Sequence, residues 1–375
     1  MPVKSWCCLP NRPTLVLVGG FLGAGKTTLL LRAARLLHER GMRAAIIAND
    51  QGTALVDTRM TTASGFDAGE IAGACFCCRF GDFVAAAQSL LAVRPNVILA
   101  EPVGSCMDLS ATVLQPLKQH HAAQFRLAPF SVLVDPRRAA EYAQPDADPE
   151  LAYLFQNQIA EADLVLYTKS DLQTQPPTTS HQPPATPSEA RPPATPSGAR
   201  HISALTGQGV PEWLDEVLGG RLSAGSRLLD IDYARYAAAE AALGWLNWEA
   251  ELRLETARTP AAVVGPLLEC LDRELTRAGA PIAHLKVFDR APTGYIRAGI
   301  CNNGDQPSVV GDLLASPARR HELVINLRAR ALPAVLDQAV SRAASELPAT
   351  LRVLQHQCFQ PAPPVPEYRY DKVSP

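Results

Sequence analysis

Residues 19–30 read GGFLGAGKTTLL and directly follow an apolar segment, LVLV, at 15–18. Two glycines bracket four residues just ahead of a Lys-Thr pair, which is the spacing of a phosphate-binding loop. In such a loop, glycines let backbone N–H groups close around the phosphates, the lysine reaches the β and γ oxygens, and the hydroxyl ligates Mg²⁺. The helix that follows turns its positive end towards the anion. The stretch therefore predicts a site for a nucleoside triphosphate and Mg²⁺. The expected contacts come from Gly20, Gly23, Gly25, Lys26, Thr27 and Thr28.

The composition limits the classes of protein that this chain can represent. Its 375 residues allow about two or three domains, and 47% are hydrophobic, enough for a sizeable core. With 35 basic and 37 acidic residues the net charge is −2, and no basic block offers a surface for nucleic acid or an anionic membrane, so neither partner is expected. The first residues, 1–12, lack the apolar stretch of a signal peptide. Because the nine cysteines are too few and too clustered for a disulfide framework, a reducing cytoplasm is expected.

Short apolar runs alternate with helical patterns through the first half of the chain. The runs are apolar throughout, which is typical of parallel strands covered on both faces. We therefore predict an α/β fold with an open, mostly parallel sheet. This P-loop NTPase domain is predicted at 13–220 and follows an N-terminal extension at 1–12. Strands are predicted at 14–18, 43–48, 96–100, 130–134 and 163–167. Helices are predicted at 26–40, 82–92, 108–118, 150–161 and 210–218.

A proline-rich segment interrupts this domain at 173–200. It contains PPATPSEAR at 183–191 and then PPATPSGAR at 192–200, a nine-residue tandem duplication. Proline at this density cannot join a sheet or helix, so the segment is predicted to be a disordered surface loop with polyproline II bias. A binding site for a partner with an aromatic groove is the alternative. An expanded spacer is favoured, because the motifs on both sides belong to one domain.

The pattern changes after residue 222. Strands are predicted at 245–254, 283–288, 294–301, 322–328 and 350–356, and helices at 261–278 and 332–346. This order, βαββ followed by βαβ, predicts a smaller α+β domain of ferredoxin-like type at 222–358. An extended tail is predicted at 359–375.

The strand predicted at 163–167 runs into the sequence TKSD at 168–171. A carboxylate in such a loop accepts hydrogen bonds from N1 and the exocyclic amine of guanine. Adenine offers no such pair of donors, so with ATP the carboxylate would be left unpaired. Lys169 and Asp171 are therefore predicted to recognise guanine, although threonine stands where asparagine is usual. Ser203 is predicted to lie in the loop whose backbone N–H meets the guanine O6. The nucleotide is therefore expected to be GTP; a surface turn is the alternative for the four residues taken alone.

The strand predicted at 96–100 delivers Glu101 and Gly104 to the edge where an open α/β sheet binds its ligand. Glu101 is predicted to hold the Mg²⁺ shell or the attacking water, with helix capping as the alternative, and the Gly104 N–H to approach the γ-phosphate. Asp50 is the next candidate for the Mg²⁺ shell. Since Lys26 and the metal neutralise charge on the transferred phosphoryl group, Lys26, Glu101 and Gly104 are the expected catalytic residues. No arginine of this chain can be identified from the sequence as one that stabilises the transferred phosphoryl group, so hydrolysis is expected to be slow.

Three cysteines, Cys75, Cys77 and Cys78, lie between the second predicted strand and the strand that ends at Glu101. As thiolates they can converge on one soft cation, and Zn²⁺ is favoured over Co²⁺, Ni²⁺ or Cu⁺. A buried apolar turn and a redox pair are the alternatives. Zinc normally takes four ligands, so a carboxylate, water or a second subunit has to complete the site. The remaining cysteines are interpreted as core or incidental residues: Cys7, Cys8, Cys106, Cys270, Cys301 and Cys358.

These motifs occur in the order of a known family. Over about residues 14–210, the chain resembles the CobW-type GTPases of metallocentre assembly. The resemblance lies in the GGFLGAGKTTLL loop, the CxCC turn, an ExxG strand end and the TKSD loop, in that order. That group is related to the nickel-handling GTPases that mature urease and hydrogenase. The sequence departs from the family at Ala48, where some members carry a glutamate proposed as a metal ligand, and it lacks a His-rich tract.

The resemblance implies a GTP-hydrolysing metallochaperone or cofactor-insertion factor, in which a transition metal on the CxCC turn is coupled to the GTP site. A client metalloenzyme or cofactor-dependent protein and a nucleotide-dependent homodimer are the expected partners. Two other functions remain open. One is a thiol-based metal or redox sensor with a timing GTPase. The other, less favoured because of the TKSD motif, is a P-loop small-molecule kinase.

Overall fold

The computed structural model describes residues 12–51, 56, 61, 65–73, 75–172 and 200–374. The predicted N-terminal extension up to residue 11, with Cys7 and Cys8, lies outside these residues. The predicted Pro-rich insert lies outside them up to residue 199. In the described residues the chain forms one parallel sheet and one antiparallel sheet.

The first sheet is parallel and open. It contains the strands β1 (Thr14–Gly20), β2 (Ala44–Asp50), β3 (Asp67–Ala72), β4 (Val97–Glu101), β5 (Arg126–Leu127), β6 (Ser131–Val134), β7 (Leu164–Tyr167) and β8 (Arg200–His201). The strand order is β3-β2-β4-β1-β6-β7-β8, with β5 paired to β1. The recorded pairings within this sheet are parallel. The predicted α/β fold with an open, mostly parallel sheet is therefore confirmed.

Helices cover this sheet on two faces. They are α1 (Lys26–Glu39), α2 (Phe80–Ser89), α3 (Gln115–His121), α4 (Pro136–Glu141), α5 (Pro149–Ala160), α6 (Val210–Leu218) and α7 (Tyr233–Ala241). Alternate residues of β1 enter two different apolar cores: Leu15 and Leu17 pack with α2, α5 and α7, whereas Val16 and Val18 pack with α1 and α6. Burial on both faces explains why these strands carry no polar alternation.

The edge strand β3 is the longest element of this sheet that the sequence does not predict. In its sequence, DAGEIA, only Ile71 is buried, and the other residues are exposed or half-buried. An edge strand with a solvated face carries no apolar run and therefore no period that a sequence pattern can detect. β5 and β8, with two residues each, are too short to show a pattern.

The second sheet is antiparallel and lies in the C-terminal half. It contains β9 (Gly244–Arg258), β10 (Ile282–Ala291), β11 (Gly294–Ile300), β12 (Ser308–Gly311), β13 (Ala318–Ala329) and β14 (Ala349–Phe359), with helices α8 (Pro260–Arg277) and α9 (Pro333–Ser345). The strand order is β12-β11-β10-β13-β9-β14. The connectivity is βαββαβ with β11 and β12 added, which agrees with the predicted ferredoxin-like layer; β12 is a strand that the sequence does not predict.

The two faces of the second sheet have different neighbours. On one face, Leu267 of α8 and Leu336 of α9 pack with Leu246 in a core of their own. On the other face, Phe288 belongs to the core that contains Leu30 of α1. The second sheet therefore rests on the side of the first sheet from which the phosphate loop emerges.

Residues 360–374, called here the C-terminal strap, form neither helix nor strand. They nevertheless pack on the first unit. Tyr368 meets Phe80 edge to face, with ring centroids 5.3 Å apart, and Arg369 Nε donates to a carboxylate oxygen of Asp108 at 2.8 Å. Among the helices of the described residues, none is both long and apolar enough to cross a bilayer.

Candidate nucleotide site and thiol cluster

A cavity of about 840 Å³ lies between the carboxyl edge of the first sheet and the face of the second. Small-molecule sites typically have volumes of about 300–1,000 Å³. The phosphate loop lines one end, and residues of β10, β11 and β13 form the opposite wall. The other end is lined by Thr168, Lys169, Asp171 and Leu172. The predicted site residues that line it are Gly23, Gly25, Lys26, Thr27, Thr28, Asp50, Glu101, Gly104, Lys169 and Asp171.

The phosphate loop curls beneath its own lysine. Lys26 Nζ donates to the Gly20 carbonyl oxygen at 2.7 Å. Gly25 caps α1 with a φ of 97°, a left-handed conformation that favours glycine. Gly20 does not line the cavity; its role is in packing, because a Cβ there would lie 2.6 Å from the Leu133 carbonyl oxygen. The loop thus leaves the N-terminus of α1 open to the cavity, an arrangement that suits an anion.

Two buried side chains with oxygen atoms, Thr27 and Glu101, meet next to the phosphate loop. Thr27 Oγ1 donates to Glu101 Oε2 at 3.1 Å. Gly104 comes close to both the lysine and the loop, since a Cβ on it would lie 3.0 Å from Lys26 Nζ and 2.8 Å from Leu22 Cδ2. A hydroxyl beside a carboxylate is a donor set that fits Mg²⁺. The binding roles of these residues stay predictions.

The residues predicted to recognise the base meet at the far end of the cavity. Asp171 Oδ1 accepts a short hydrogen bond from Ser203 Oγ, and Lys169 Nζ lies 2.6 Å from Asp135 Oδ2. Ser203 is fully buried and does not line the cavity, so its side chain orients the Asp171 carboxylate; Ala204 lines the cavity beside it. The two predicted loops are thus brought together, and the Asp171 carboxylate lies at the cavity.

The second sheet lines the cavity with basic side chains that no sequence motif predicts. These are His284 and Lys286 on β10, Arg297 on β11 and Arg328 on β13. Arg297 is 8% exposed, and its Nε has no hydrogen-bond partner among the residues described above. Burial, and then the positive charges of Lys286 and Arg297, hold the pKa of His284 well below its usual value. The wall opposite the phosphate loop is therefore positively charged.

Asp50 forms an ion pair with Arg328 of this wall. The Arg328 guanidinium donates to both of its carboxylate oxygens, at 2.7 and 2.8 Å, and stacks on Trp245 with 4.1 Å to the ring centroid. Of the two carboxylates predicted to serve Mg²⁺, Glu101 is the one beside Thr27. Asp50 joins the end of β2 to the second sheet.

The three predicted metal-binding cysteines form one cluster in the turn between β3 and α2. The sulphurs of Cys75, Cys77 and Cys78 all lie within 4.8 Å of one another; that of Cys77 is 2.8 Å from Cys75 and 3.8 Å from Cys78. Two sulphurs on one zinc ion are at most about 4.6 Å apart, twice a Zn–S bond of about 2.3 Å. The donor set fits a soft divalent cation.

A fourth cysteine, Cys106, which was interpreted from the sequence as core or incidental, is buried near this cluster. It lowers the pKa of the Cys75 thiol and raises that of the Cys77 thiol. Hydrogen bonds from Cys106, then from Cys77 and Cys78, hold the pKa of the Cys75 thiol well below its usual value in spite of burial. The pKa values of the Cys77 and Cys78 thiols are raised, so within the cluster the lowered pKa belongs to Cys75.

The cluster has a neighbour on each side. Towards the cavity, the Asn49 side-chain oxygen accepts from the Phe76 N–H at 3.1 Å, and Asn49 itself lines the cavity. Towards the surface, the Val365 N–H of the C-terminal strap donates to the half-buried Cys78 sulphur at 3.2 Å. The thiols thus lie between the nucleotide cavity and the strap.

Glu240 on α7 is buried near the thiols, and its burial leads to a prediction about pH. Burial raises the pKa of this carboxyl to about 8, whereas in an unfolded chain it stays near 4.5. Between these values the native state binds the extra proton, so the free energy of unfolding should fall with rising pH, by up to about 1.4 kcal/mol per pH unit. Glu240→Gln removes this term. Urea unfolding of both metal-free proteins at pH 5, 6.5 and 8 measures the difference; parallel pH profiles would contradict it.

A phosphate loop between a parallel strand and its helix, at the carboxyl edge of an open sheet, defines a P-loop nucleotide-binding domain. Residues 14–186 match the family described as CobW/HypB/UreG, nucleotide-binding domain. This domain is of the CobW type, and the resemblance seen in the motifs is confirmed.

Two curated relatives share part of this chain. The zinc chaperone YeiR of Escherichia coli is 31% identical over 167 residues, covering 42% of this chain and 47% of the relative. The zinc chaperone CobW of Pseudomonas aeruginosa is 29% identical over 198 residues, covering 46% of this chain and 51% of the relative. The chain therefore spans about half the length of the curated relatives it matches.

Solved structures match this chain at lower identity. The Zn(II)-bound YjiA GTPase from E. coli is 16% identical, with a TM-score of 0.32, over 90% of this chain and 99% of that chain.

Proposed function

We propose that this protein is a GTP-hydrolysing metallochaperone that carries a transition metal, zinc above all, on its cysteine cluster. One observation carries the proposal: a cluster of thiols lies directly beside a nucleotide-sized cavity and is joined to it by Asn49. The printed names of the two curated relatives, both zinc chaperones, agree with this cargo.

The residues of the cavity have different roles in hydrolysis. Asp171 accepts from the guanine N1 and amine, which favours GTP over ATP. Thr27 and Glu101 would hold Mg²⁺, which supplies positive charge to the phosphates. Lys26 and the basic wall neutralise charge that develops on the transferred phosphoryl group, and the Gly104 N–H contacts its oxygens.

The thiols hold the cargo and a client protein receives it. Cys75, Cys77 and Cys78 bind the metal as thiolates, releasing their protons on binding. A nucleotide alters the metal affinity only if the two conformations differ in their contacts to it, and the coupling is reciprocal. Hydrolysis then lowers the affinity and releases the metal to a client metalloenzyme.

The test measures both activities in the full-length protein. We expect GTP to be hydrolysed in preference to ATP, and the zinc affinity with a non-hydrolysable GTP analogue to differ from that with GDP by about 5- to 150-fold. A Cys77→Ser, Cys78→Ser double variant should lose zinc binding and retain nucleotide binding. Equal turnover of ATP and GTP, or zinc binding no tighter than in the double variant, would exclude the proposed function.

A thiol-based sensor is the second candidate, favoured by the lowered pKa of Cys75. A sensor keeps its metal through the GTPase cycle, whereas a chaperone gives it up. Release of zinc to a colorimetric chelator during a single round of GTP hydrolysis distinguishes the two.

A further inference from the structure

The C-terminal strap lies on the outer side of the thiol cluster. Cys75 and Cys77 are buried, whereas Cys78 is half-buried and is therefore the most exposed of the three thiols. The Val365 N–H donates to the Cys78 sulphur at 3.2 Å, and the Glu367 N–H donates to the Cys77 carbonyl oxygen at 2.9 Å. Two backbone hydrogen bonds thus join the strap to the turn that carries the thiols.

The sequence of the strap suits this contact. Residues 361–366 read PAPPVP, so in this stretch Ala362 and Val365 alone carry a backbone N–H. Prolines hold such a stretch extended without internal hydrogen bonds, and they reduce the conformational entropy that is lost when it lies on a surface. One of the two available N–H groups is used to contact Cys78.

Beyond this stretch, two side chains fasten the strap to the first domain. The Tyr368 ring meets Phe80 edge to face at 5.3 Å, and Arg369 Nε donates to Asp108 Oδ2 at 2.8 Å. Val365 is nevertheless 74% exposed and Tyr368 41% exposed. A surface segment that is held by a few such contacts opens at a lower free energy than the core of a domain. The strap can therefore leave the cluster while both sheets stay folded.

We propose that the C-terminal strap is a displaceable cover that controls access to the thiol cluster. The inference rests on the proposed function and deepens it, because it names the element that keeps the metal in place. When the strap is seated, it shields Cys78 and donates the Val365 N–H to its sulphur, and hydrogen bonds of this kind orient a metal ligand. When it is displaced, a ligand of the client can reach the metal. Each metal–thiolate bond that breaks is then replaced by a bond to the client, and the freed thiolate takes up a proton from solvent.

The decisive variant is Val365→Pro in the full-length protein. This substitution removes the N–H that contacts the Cys78 sulphur and puts a ring carbon in its space, while the stretch keeps its extended character. Ala362→Pro is the matched control, since it makes the same change at an exposed position of the same stretch. We expect zinc release to a colorimetric chelator to be about 10- to 100-fold faster in Val365→Pro and unchanged in Ala362→Pro.

A second measurement needs no metal. In the metal-free protein, Cys78 should react with an aromatic disulfide reagent about 10-fold faster, or more, in Val365→Pro than in Ala362→Pro, because it is exposed whenever the strap is open. The same proteins with Cys78→Ser give the background from other thiols. Tyr368→Ala loses the aromatic contact with Phe80 and should raise both rates by about 2- to 10-fold, and Tyr368→Phe should restore them. Tyr368→Ala keeps the test decisive if Val365→Pro does not fold.

The outcomes separate this inference from the proposed function. Equal rates in Val365→Pro and Ala362→Pro, in either measurement, would overturn the role of the strap and leave the metallochaperone function standing. Faster zinc release together with faster reaction of Cys78 would support it. If the unmodified protein binds no zinc, the proposed function and this inference fail together.

Discussion

Replacing Arg297 by alanine should lower kcat for GTP hydrolysis by about 100- to 1,000-fold, with little change in the Kd for GDP. The guanidinium is buried in the cavity wall opposite the phosphate loop, and its Nε is without a hydrogen-bond partner in the part of the chain that the structure describes. A preorganised donor aimed at developing charge is worth about that factor, and an arginine finger in phosphoryl transfer even more. Single-turnover hydrolysis measures the chemical step directly.

Two variants sharpen this prediction. Arg297→Lys keeps the charge but loses the planar fork of donors, so its kcat should lie between those of the other two proteins. Arg290→Ala removes an exposed arginine of β10 and should leave kcat unchanged. A kcat that is normal in Arg297→Ala would mean that Arg297 takes no part in the chemistry.

The second large effect concerns the choice of nucleotide. In Asp171→Asn an amide N–H₂ replaces one carboxylate oxygen and faces the donors of guanine, while Ser203 still contacts the side chain. Loss of a charge-assisted hydrogen bond costs about 1.5–3 kcal/mol, so the ratio of kcat/KM for GTP to that for ATP should fall by about 10- to 150-fold. Competition assays with both nucleotides measure this ratio.

The matched control is Asp215→Asn, which changes an exposed carboxylate of α6 that pairs with Arg40. Its nucleotide preference should be that of the unmodified protein. If Asp171→Asn retains the full preference for GTP, base recognition lies elsewhere in the cavity.

The predictions from sequence that are confirmed rest on local chemistry. Residues 19–30 specify a strand, a loop and a helix within one stretch, and apolar runs at 96–100 and 130–134 mark buried parallel strands. The edge strand β3 was not predicted, because a strand with one face in solvent has no continuous apolar run in its sequence.

The basic wall of the cavity depends on long-range packing. Lys286 and Arg297 face a loop more than 250 residues earlier in the chain, and an isolated arginine in a strand has no motif. The position of Cys106 could have been inferred. It follows Gly104 closely, and loops after neighbouring parallel strands share one edge of the sheet.

The bidentate pair between Arg328 and Asp50 also bears on how this protein can evolve. Arg328 is 3% exposed, so a partner domain without a matching cation would remove the buried guanidinium that pairs with Asp50 at the base of the cavity. Removing one member of a buried ion pair costs about 3–5 kcal/mol, a large part of the stability of a typical domain. Recombination that exchanged the C-terminal half for that of a distant relative would therefore be selected against, and the two halves are expected to be inherited as one unit.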